Sequence, residues 1–173
     1  MRNLGWGVVL LVASLAVAPA ALAQSLSLVG PDGQTAQLDA AALAALPHVT
    51  VTVKQHGETH SFQGVPLGDL VARVGAASGK QVHGAELATV IRVTAADGYQ
   101  VVISLAETDP ATRADRVILA DRSEAGPLTA DGPFRLVVEG DLRPARAARN
   151  VVKLEVLRLA TSAPAPSHGK DTP

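Results

Sequence analysis

The chain has 173 residues, 15 lysines and arginines against 16 aspartates and glutamates, a formal net charge of −1, and no cysteine. This near-neutral balance provides no basic surface for nucleic acid, and one Trp, one Tyr and two Phe cannot build a base-stacking platform. The absence of cysteine excludes a thiolate nucleophile, an iron–sulfur cluster and any cysteine-ligated metal. A chain without disulfides must rely on its hydrophobic core, which this length allows.

The N-terminal segment has the pattern of a secretory signal peptide. Arg2 gives a basic start, residues 4–17 form an apolar run, and Ala21-Leu22-Ala23 matches the small-x-small cleavage pattern before Gln24. The alternative is an uncleaved membrane anchor. Because a membrane span needs about 20 apolar residues, the short run favours cleavage.

The sequence pattern divides the chain into three parts. Residues 1–23 are predicted to be the signal peptide, and residues 24–159 a single domain. Residues 160–173 are rich in Pro, Ser and Ala and are predicted to be a disordered tail. We therefore expect a periplasmic or secreted protein with no membrane span after signal cleavage.

Most of the mature sequence consists of short β-branched and apolar runs separated by Gly, Pro, Asp and Ser, which predicts strands. The predicted strands cover residues 25–29, 34–38, 48–54, 59–63, 117–120, 134–138 and 150–159, with a hairpin over 89–105. In the last strand, alternation places Val152, Leu154, Val156 and Arg158 on one face.

Two helices have clear boundaries in the sequence. Asp39 is predicted to cap a helix over 40–46, and Pro66 suits the first position of a second helix that ends before Gly75. The second helix carries one apolar stripe, formed by Leu67, Leu70, Val71 and Val74. A short helix or turn begins at residues 105–107. Many short strands with two or three short helices predict a β-rich α+β domain with a mixed sheet.

The hairpin over 89–105 contains the sharpest local motif. Asp97-Gly98 between two apolar runs predicts a tight turn, and Tyr99, the only tyrosine, follows it. One interpretation is purely structural, with the Tyr99 ring packed on the sheet. The other makes Asp97 and Tyr99 candidate ligand-binding residues, with the Tyr99 hydroxyl directed into a pocket.

Arg135 lies on a predicted strand beside Leu136, Val137 and Val138. An inward-facing arginine needs a polar partner and could bind an anion through two parallel hydrogen bonds. The alternative is an arginine on the solvated face of an edge strand. We therefore count Arg135 as a candidate ligand-binding residue.

A second group of arginines lies in the loop before the last strand. Arg143, Arg146 and Arg149 could together hold a phosphate or sulfate. The alternative is a solvated loop whose charge is neutralised by Asp141 and Glu139.

Other chemistries have little support in the sequence. His56 and His60 flank a turn, but two histidines with only Glu58 nearby make a poor metal site, so no metal site is predicted. No nucleophile-elbow, P-loop or dinucleotide-binding motif occurs.

Five motifs follow one another in an order typical of a known domain. They are FQGVPLGDL (62–70), DGY (97–99), LAD with GPL (119–121 and 126–128), GPFRLVVEG (132–140) and VKLEV (152–156). Together they resemble the oxidoreductase molybdopterin-binding domain of sulfite oxidases and their bacterial periplasmic relatives. The resemblance extends from about residue 26 to residue 159 and implies that domain's fold.

The resemblance also implies a chemistry that this sequence does not fully retain. In catalytic members, a cysteine after the strand before the GVPL helix supplies a thiolate to molybdenum, and here Lys54 or Gln55 stands in that region. Neither side chain replaces a soft thiolate ligand. Glu139 replaces a proline of the family, and Phe62 stands where a tryptophan is common. No cofactor is therefore expected, although the resemblance implies molybdopterin as the alternative.

Two main hypotheses follow. The first is an exported, non-catalytic binding module for a small anionic ligand or a protein partner. The second is a molybdopterin-dependent oxidoreductase that holds its cofactor without a cysteine ligand, through Tyr99, Arg135 and the arginines of the 143–149 loop. A third is a structural subunit beside a periplasmic or membrane redox protein.

Overall fold

The computed structural model describes residues 24–55, 57–129 and 132–160. Within them lie β1 Leu26–Val29, β2 Thr35–Leu38, β3 Val49–Gln55, β4 Glu58–Pro66, β5 Thr89–Ala95, β6 Gln100–Ser104, β7 Val117–Ser123, β8 Gly126–Pro127, β9 Arg135–Val138 and β10 Val151–Arg158. The α-helices are α1 Ala40–Ala44 and α2 Leu67–Ala72, and 3-10 turns cover Gly79–Gln81, Gly84–Ala88, Leu105–Thr108 and Pro144–Arg146.

The strands form two sheets. The first has the order β2-β1-β10-β5-β6, and β1 runs parallel to β10 while the other pairs are antiparallel. The second has the order β3-β4-β7-β8, with β9 also paired to β7, and all of its pairs are antiparallel. The fold is therefore β-rich α+β with mixed sheets, as predicted.

The main core lies where the two sheets and α2 meet. It contains Leu154 and Ile91 from the first sheet and Leu119 and Leu136 from the second, all fully buried. The predicted apolar stripe is confirmed, because its three side chains within α2 are buried in this core, as is Val74, although the helix ends two residues before it. Gly75 after the helix has φ = 86°, the left-handed conformation expected of a residue that ends a helix.

A smaller cluster lies on the other face of the second sheet. It contains Val51, Val53, Phe62, Ile118, Ala120 and Val137. Residues of β7 alternate between the two clusters, since Val117 and Leu119 belong to the main core while Ile118 and Ala120 belong to the smaller one. Residues 117–120 of β7 and all of β9 are therefore buried on both faces of the second sheet.

The predicted hairpin is confirmed and connects β5 to β6. The Gly98 N–H donates to the Ala95 carbonyl at 3.0 Å, and Gly98 has φ = 87°, a conformation that favours glycine. The Asp97 carboxylate accepts a hydrogen bond from the Tyr99 N–H at 2.9 Å, which stabilises the turn from within.

Several element boundaries differ from prediction. Strand β4 runs to Pro66 rather than ending at residue 63, because Gly64, Val65 and Pro66 pair with β7. Pro66 therefore caps α2 instead of occupying its first turn. Strand β7 continues to Ser123, because Arg122 and Ser123 pair with β8. Helix α1 ends at Ala44, two residues before its predicted end.

The predicted inner face of the last strand was partly wrong. The register of β10 against β5 shifts between Val151 and Lys153, so Val151 is fully buried and Val152 only half-buried. Leu154 and Val156 are buried as predicted. Arg158 is exposed and ion-paired to Asp32 and Glu86.

The predicted signal peptide and residues 161–173 of the predicted tail lie outside the described residues. Within the described part of the chain, no helix is long and apolar enough to cross a bilayer.

Candidate functional site

Arg135 is the first residue of β9 and is only 6% exposed. Its guanidinium carbon lies 4.8 Å from the centre of the Phe62 ring, a cation–π distance. Strand alternation places Arg135 on the same face as Val137, beside the smaller apolar cluster. The interpretation of Arg135 as a solvated edge-strand residue was therefore wrong.

Gln55, the last residue of β3, contacts Arg135. The Arg135 Nη2 donates to the Gln55 Oε1 at 3.3 Å. Val51 and Val53 are buried on this face of β3, whereas Lys54 is exposed on the opposite one. Lys54 and Gln55 are the two residues that stand near the position of the family's cysteine. Of these, Gln55 is the one that contacts Arg135, and it does so through a neutral amide.

A cavity of about 350 Å³ opens beside Arg135, and we call it the Arg135 cavity. Its lining includes His60, Phe62, Glu124, Pro127, Leu128 and Arg135. The volume lies within the range of small-molecule sites, about 300–1,000 Å³. It combines an apolar wall, an aromatic ring and a few polar groups, which is the usual composition of such sites.

Glu124 provides the negative charge of this cavity. Its Oε2 accepts a hydrogen bond from the Ser61 N–H at 2.6 Å, and its Oε1 lies 3.4 Å from the His60 Nδ1. The hydrogen bond from Ser61 is the main reason why the pKa of Glu124 is lowered from 4.5. The carboxylate is therefore ionised at neutral pH.

Sequence reasoning missed Glu124. Its main partner, Ser61, is 63 positions away in the chain. The two meet because Phe62 of β4 pairs with Ser123 of β7. Only the pairing of β4 with β7 brings Ser61 and Glu124 together, and no local sequence pattern indicates that pairing.

Asp97 and Tyr99 do not line the Arg135 cavity. Tyr99 is 49% exposed, and its hydroxyl donates to the Ala145 carbonyl at 2.6 Å. It thereby fastens the β5–β6 turn to the 3-10 turn Pro144–Arg146. Of the two interpretations of Tyr99, the one that directs its hydroxyl into a ligand pocket is not seen here, because the hydroxyl contacts the backbone of the arginine loop.

The arginines of the 143–149 loop do not converge on one site. Arg146 binds the two carboxylate oxygens of Asp141 at 2.6 and 3.0 Å and a carboxylate oxygen of Glu107 at 3.2 Å. The hydrogen bonds that Arg146 donates to Asp141 are the main cause of its pKa lying well above the ordinary value. Arg143 and Arg149 are exposed, and none of the three lines the Arg135 cavity.

Of the two carboxylates predicted to neutralise this loop, one does so and the other binds elsewhere. Asp141 neutralises Arg146, as the alternative interpretation proposed. The Glu139 carboxylate instead accepts a hydrogen bond from the Arg116 N–H at 2.9 Å.

The described histidines give no metal centre. His48 has its Nδ1 2.6 Å from the Leu46 carbonyl and its Nε2 3.2 Å from an Asp121 carboxylate oxygen, so both ring nitrogens are engaged. His60 lies near Glu58 and Glu124, and His56 is outside the described residues. Among the described residues, no group of three His, Cys, Asp or Glu side chains could hold a metal ion.

The sequence matches no protein-family model and no curated protein. The structure, however, is similar to the crystal structure of the sulfane dehydrogenase SoxCD from Paracoccus pantotrophus, with a TM-score of 0.59 and 19% sequence identity. The match covers 80% of this chain and 39% of that one. The fold is of the sulfite oxidase type. The likeness is one of fold, and this chain spans about two-fifths of the neighbour's length.

The donor groups around the Arg135 cavity do not fit the molybdenum of a molybdopterin cofactor. The sequence contains no cysteine, and Gln55 offers a neutral amide that is already bonded to Arg135. Arg146 is held by two carboxylates, those of Glu107 and Asp141. The molybdenum of that cofactor would therefore find no thiolate ligand in this sequence.

Replacing Tyr99 with phenylalanine tests whether the hydroxyl is structural. Loss of the hydrogen bond to Ala145 should lower the free energy of unfolding by about 0.5–1.5 kcal/mol. We expect no change in the binding of small anions. Urea unfolding followed by circular dichroism measures the first effect, and isothermal titration with sulfate the second. Lost sulfate binding with unchanged stability would return Tyr99 to the ligand site.

Proposed function

We propose that this protein is an exported, non-catalytic binding module of the sulfite oxidase-type fold. It holds a small ligand through an anionic group placed against Arg135. The observation that carries the proposal is an arginine, Arg135, that is only 6% exposed and lies in the wall of a cavity of about 350 Å³. The Phe62 ring orients its guanidinium by lying under it.

A guanidinium in these surroundings suits an anion better than an exposed arginine does. Hydrogen bonds to charged groups are about twice as strong as neutral ones, and low solvent access strengthens them further. Arginine also presents its N–H groups in a planar fork that matches carboxylate, sulfate and phosphate oxygens. Export is supported by the signal-peptide pattern of residues 1–23.

The binding role is preferred to catalysis because of what stands beside Arg135. Gln55 is neither a nucleophile nor a base. His60, the histidine of the cavity lining, lies against the carboxylates of Glu58 and Glu124. A guanidinium, an amide and a hydrogen-bonded carboxylate can orient a ligand without transforming it.

The second candidate is a molybdopterin-dependent oxidoreductase that lacks a cysteine ligand. Its support is the fold likeness to a sulfane dehydrogenase and the ordered motifs in the sequence. The donor groups present count against it. A third role, docking to a periplasmic or membrane redox protein, would use the fold without the cavity.

Two measurements on the mature chain test the proposal. Calorimetric titration with sulfate, phosphate and acetate should show saturable binding to one site for at least one anion, with a dissociation constant of about 1 mM or tighter. Chloride at matched ionic strength is the control for screening. Protein from a molybdopterin-competent host should contain well under one molybdenum per chain. Molybdenum near one equivalent, or no anion binding at all, would overturn the proposal.

A further inference from the structure

The Arg135 cavity contains a negative charge as well as a positive one. Among its described lining residues, Arg135 provides the cation and Glu124 the anion. The ionised carboxylate repels part of any simple anion bound at Arg135, so a ligand that carries both charges fits this cavity better than a simple anion does. Resting on the proposed function, we infer that the ligand is an amino carboxylate, whose carboxylate meets Arg135 and whose ammonium meets Glu124.

Glu124 is fixed in place but accessible. The Ser61 N–H and the His60 ring hold its two oxygens, while 51% of its side-chain surface remains exposed. An ionised carboxylate has about four lone-pair positions, so it can accept further hydrogen bonds from a ligand. A carboxylate held in one orientation also loses less entropy on binding than a mobile one.

The position of the Phe62 ring restricts which kind of cationic group the ligand can carry. Phe62 is only 5% exposed, and one face of its ring carries the Arg135 guanidinium. The ring therefore cannot form the aromatic cage by which quaternary ammonium groups are recognised. Glu124 instead favours an ammonium group with N–H donors. A primary amino carboxylate fits both conditions better than a betaine.

The remaining wall of the cavity is apolar. Pro127 and Leu128 lie in its lining, and Leu128 packs against the smaller apolar cluster. A ligand with an aliphatic side chain would bury that chain here and gain affinity from the apolar surface removed from water. L-Leucine is therefore a suitable probe.

A matched set of three probes tests the inference by calorimetric titration. L-Leucine carries both charged groups, 4-methylpentanoate lacks the ammonium, and isopentylamine lacks the carboxylate. We expect L-leucine to bind at least about tenfold more tightly than either of the others. Equal affinities for L-leucine and 4-methylpentanoate would overturn the inference and leave the proposed function standing. If no carboxylate and no inorganic anion binds, the proposed function itself fails.

Variants of Glu124 test whether this carboxylate is the group that binds the ammonium of the ligand. Glu124→Gln keeps an oxygen for the Ser61 N–H and should reduce the preference for L-leucine over 4-methylpentanoate to about twofold or less. Glu124→Lys should reverse the preference. Glu58→Gln is the matched control, since Glu58 is also near His60 but is 81% exposed and outside the cavity lining. A preference unchanged in both Glu124 variants would overturn the assignment.

Discussion

Replacing Arg135 with methionine is expected to weaken sulfate binding at least about a hundredfold while the domain stays folded. Methionine keeps an unbranched apolar chain against Phe62 but removes every N–H donor. Removal of one partner of a buried charge pair typically costs 2–5 kcal/mol in binding. The free energy of unfolding should fall by about 1–2 kcal/mol, because the cluster loses the cation–π contact and the bond to Gln55.

Two further variants complete this test. One changes the geometry of the side chain at position 135 while keeping its charge, and the other is a control at a different arginine. Arg135→Lys keeps the charge and loses the fork, so about a tenfold loss of sulfate affinity is expected. Arg122→Met removes an arginine of the same sheet that is 45% exposed and outside the cavity lining, and it should leave sulfate binding unchanged. Sulfate binding by the Arg135→Met variant at the wild-type affinity would show that the anion binds elsewhere.

Local features of the fold could be predicted from the sequence. The apolar stripe of α2 and the Asp97-Gly98 turn depend on residues within a few positions of one another, so periodicity and turn chemistry were sufficient. The extension of β4 to Pro66 depends on pairing with β7, more than fifty positions away. Boundaries set by such distant partners could not be found from local patterns.

The contrast between local patterns and distant pairing also explains which parts of the candidate site could be predicted. Tyr99 and Arg146 were chosen for their side-chain chemistry, and the structure uses both to hold the loop that contains Ala145. The contact from Arg135 to Gln55 spans 80 positions, and that from Glu124 to Ser61 spans 63. Residue type identified Arg135 as a candidate, but only the sheet pairing shows which groups surround it.

The two phenylalanines provide the second large effect. Phe62 is 5% exposed and Phe134 is fully buried, so replacing either with alanine should lower the free energy of unfolding by about 3–5 kcal/mol. Leucine variants keep more of the volume and should cost about 1–2 kcal/mol each. Urea unfolding followed by circular dichroism measures these changes. A loss in the double alanine variant equal to the sum of the two single losses would show that the two clusters are packed independently.

Ligand binding should distinguish the two positions. Phe134 precedes Arg135 in the chain but belongs to the main core, whereas Phe62 lies under the guanidinium in the smaller cluster. Because a cation–π contact contributes about 0.5–2 kcal/mol, Phe62→Leu should weaken sulfate binding by about threefold to thirtyfold. Phe134→Leu should leave sulfate affinity within about twofold of wild type, since its side chain faces the opposite cluster. Equal losses of affinity would mean that general destabilisation, rather than orientation of Arg135, controls the site.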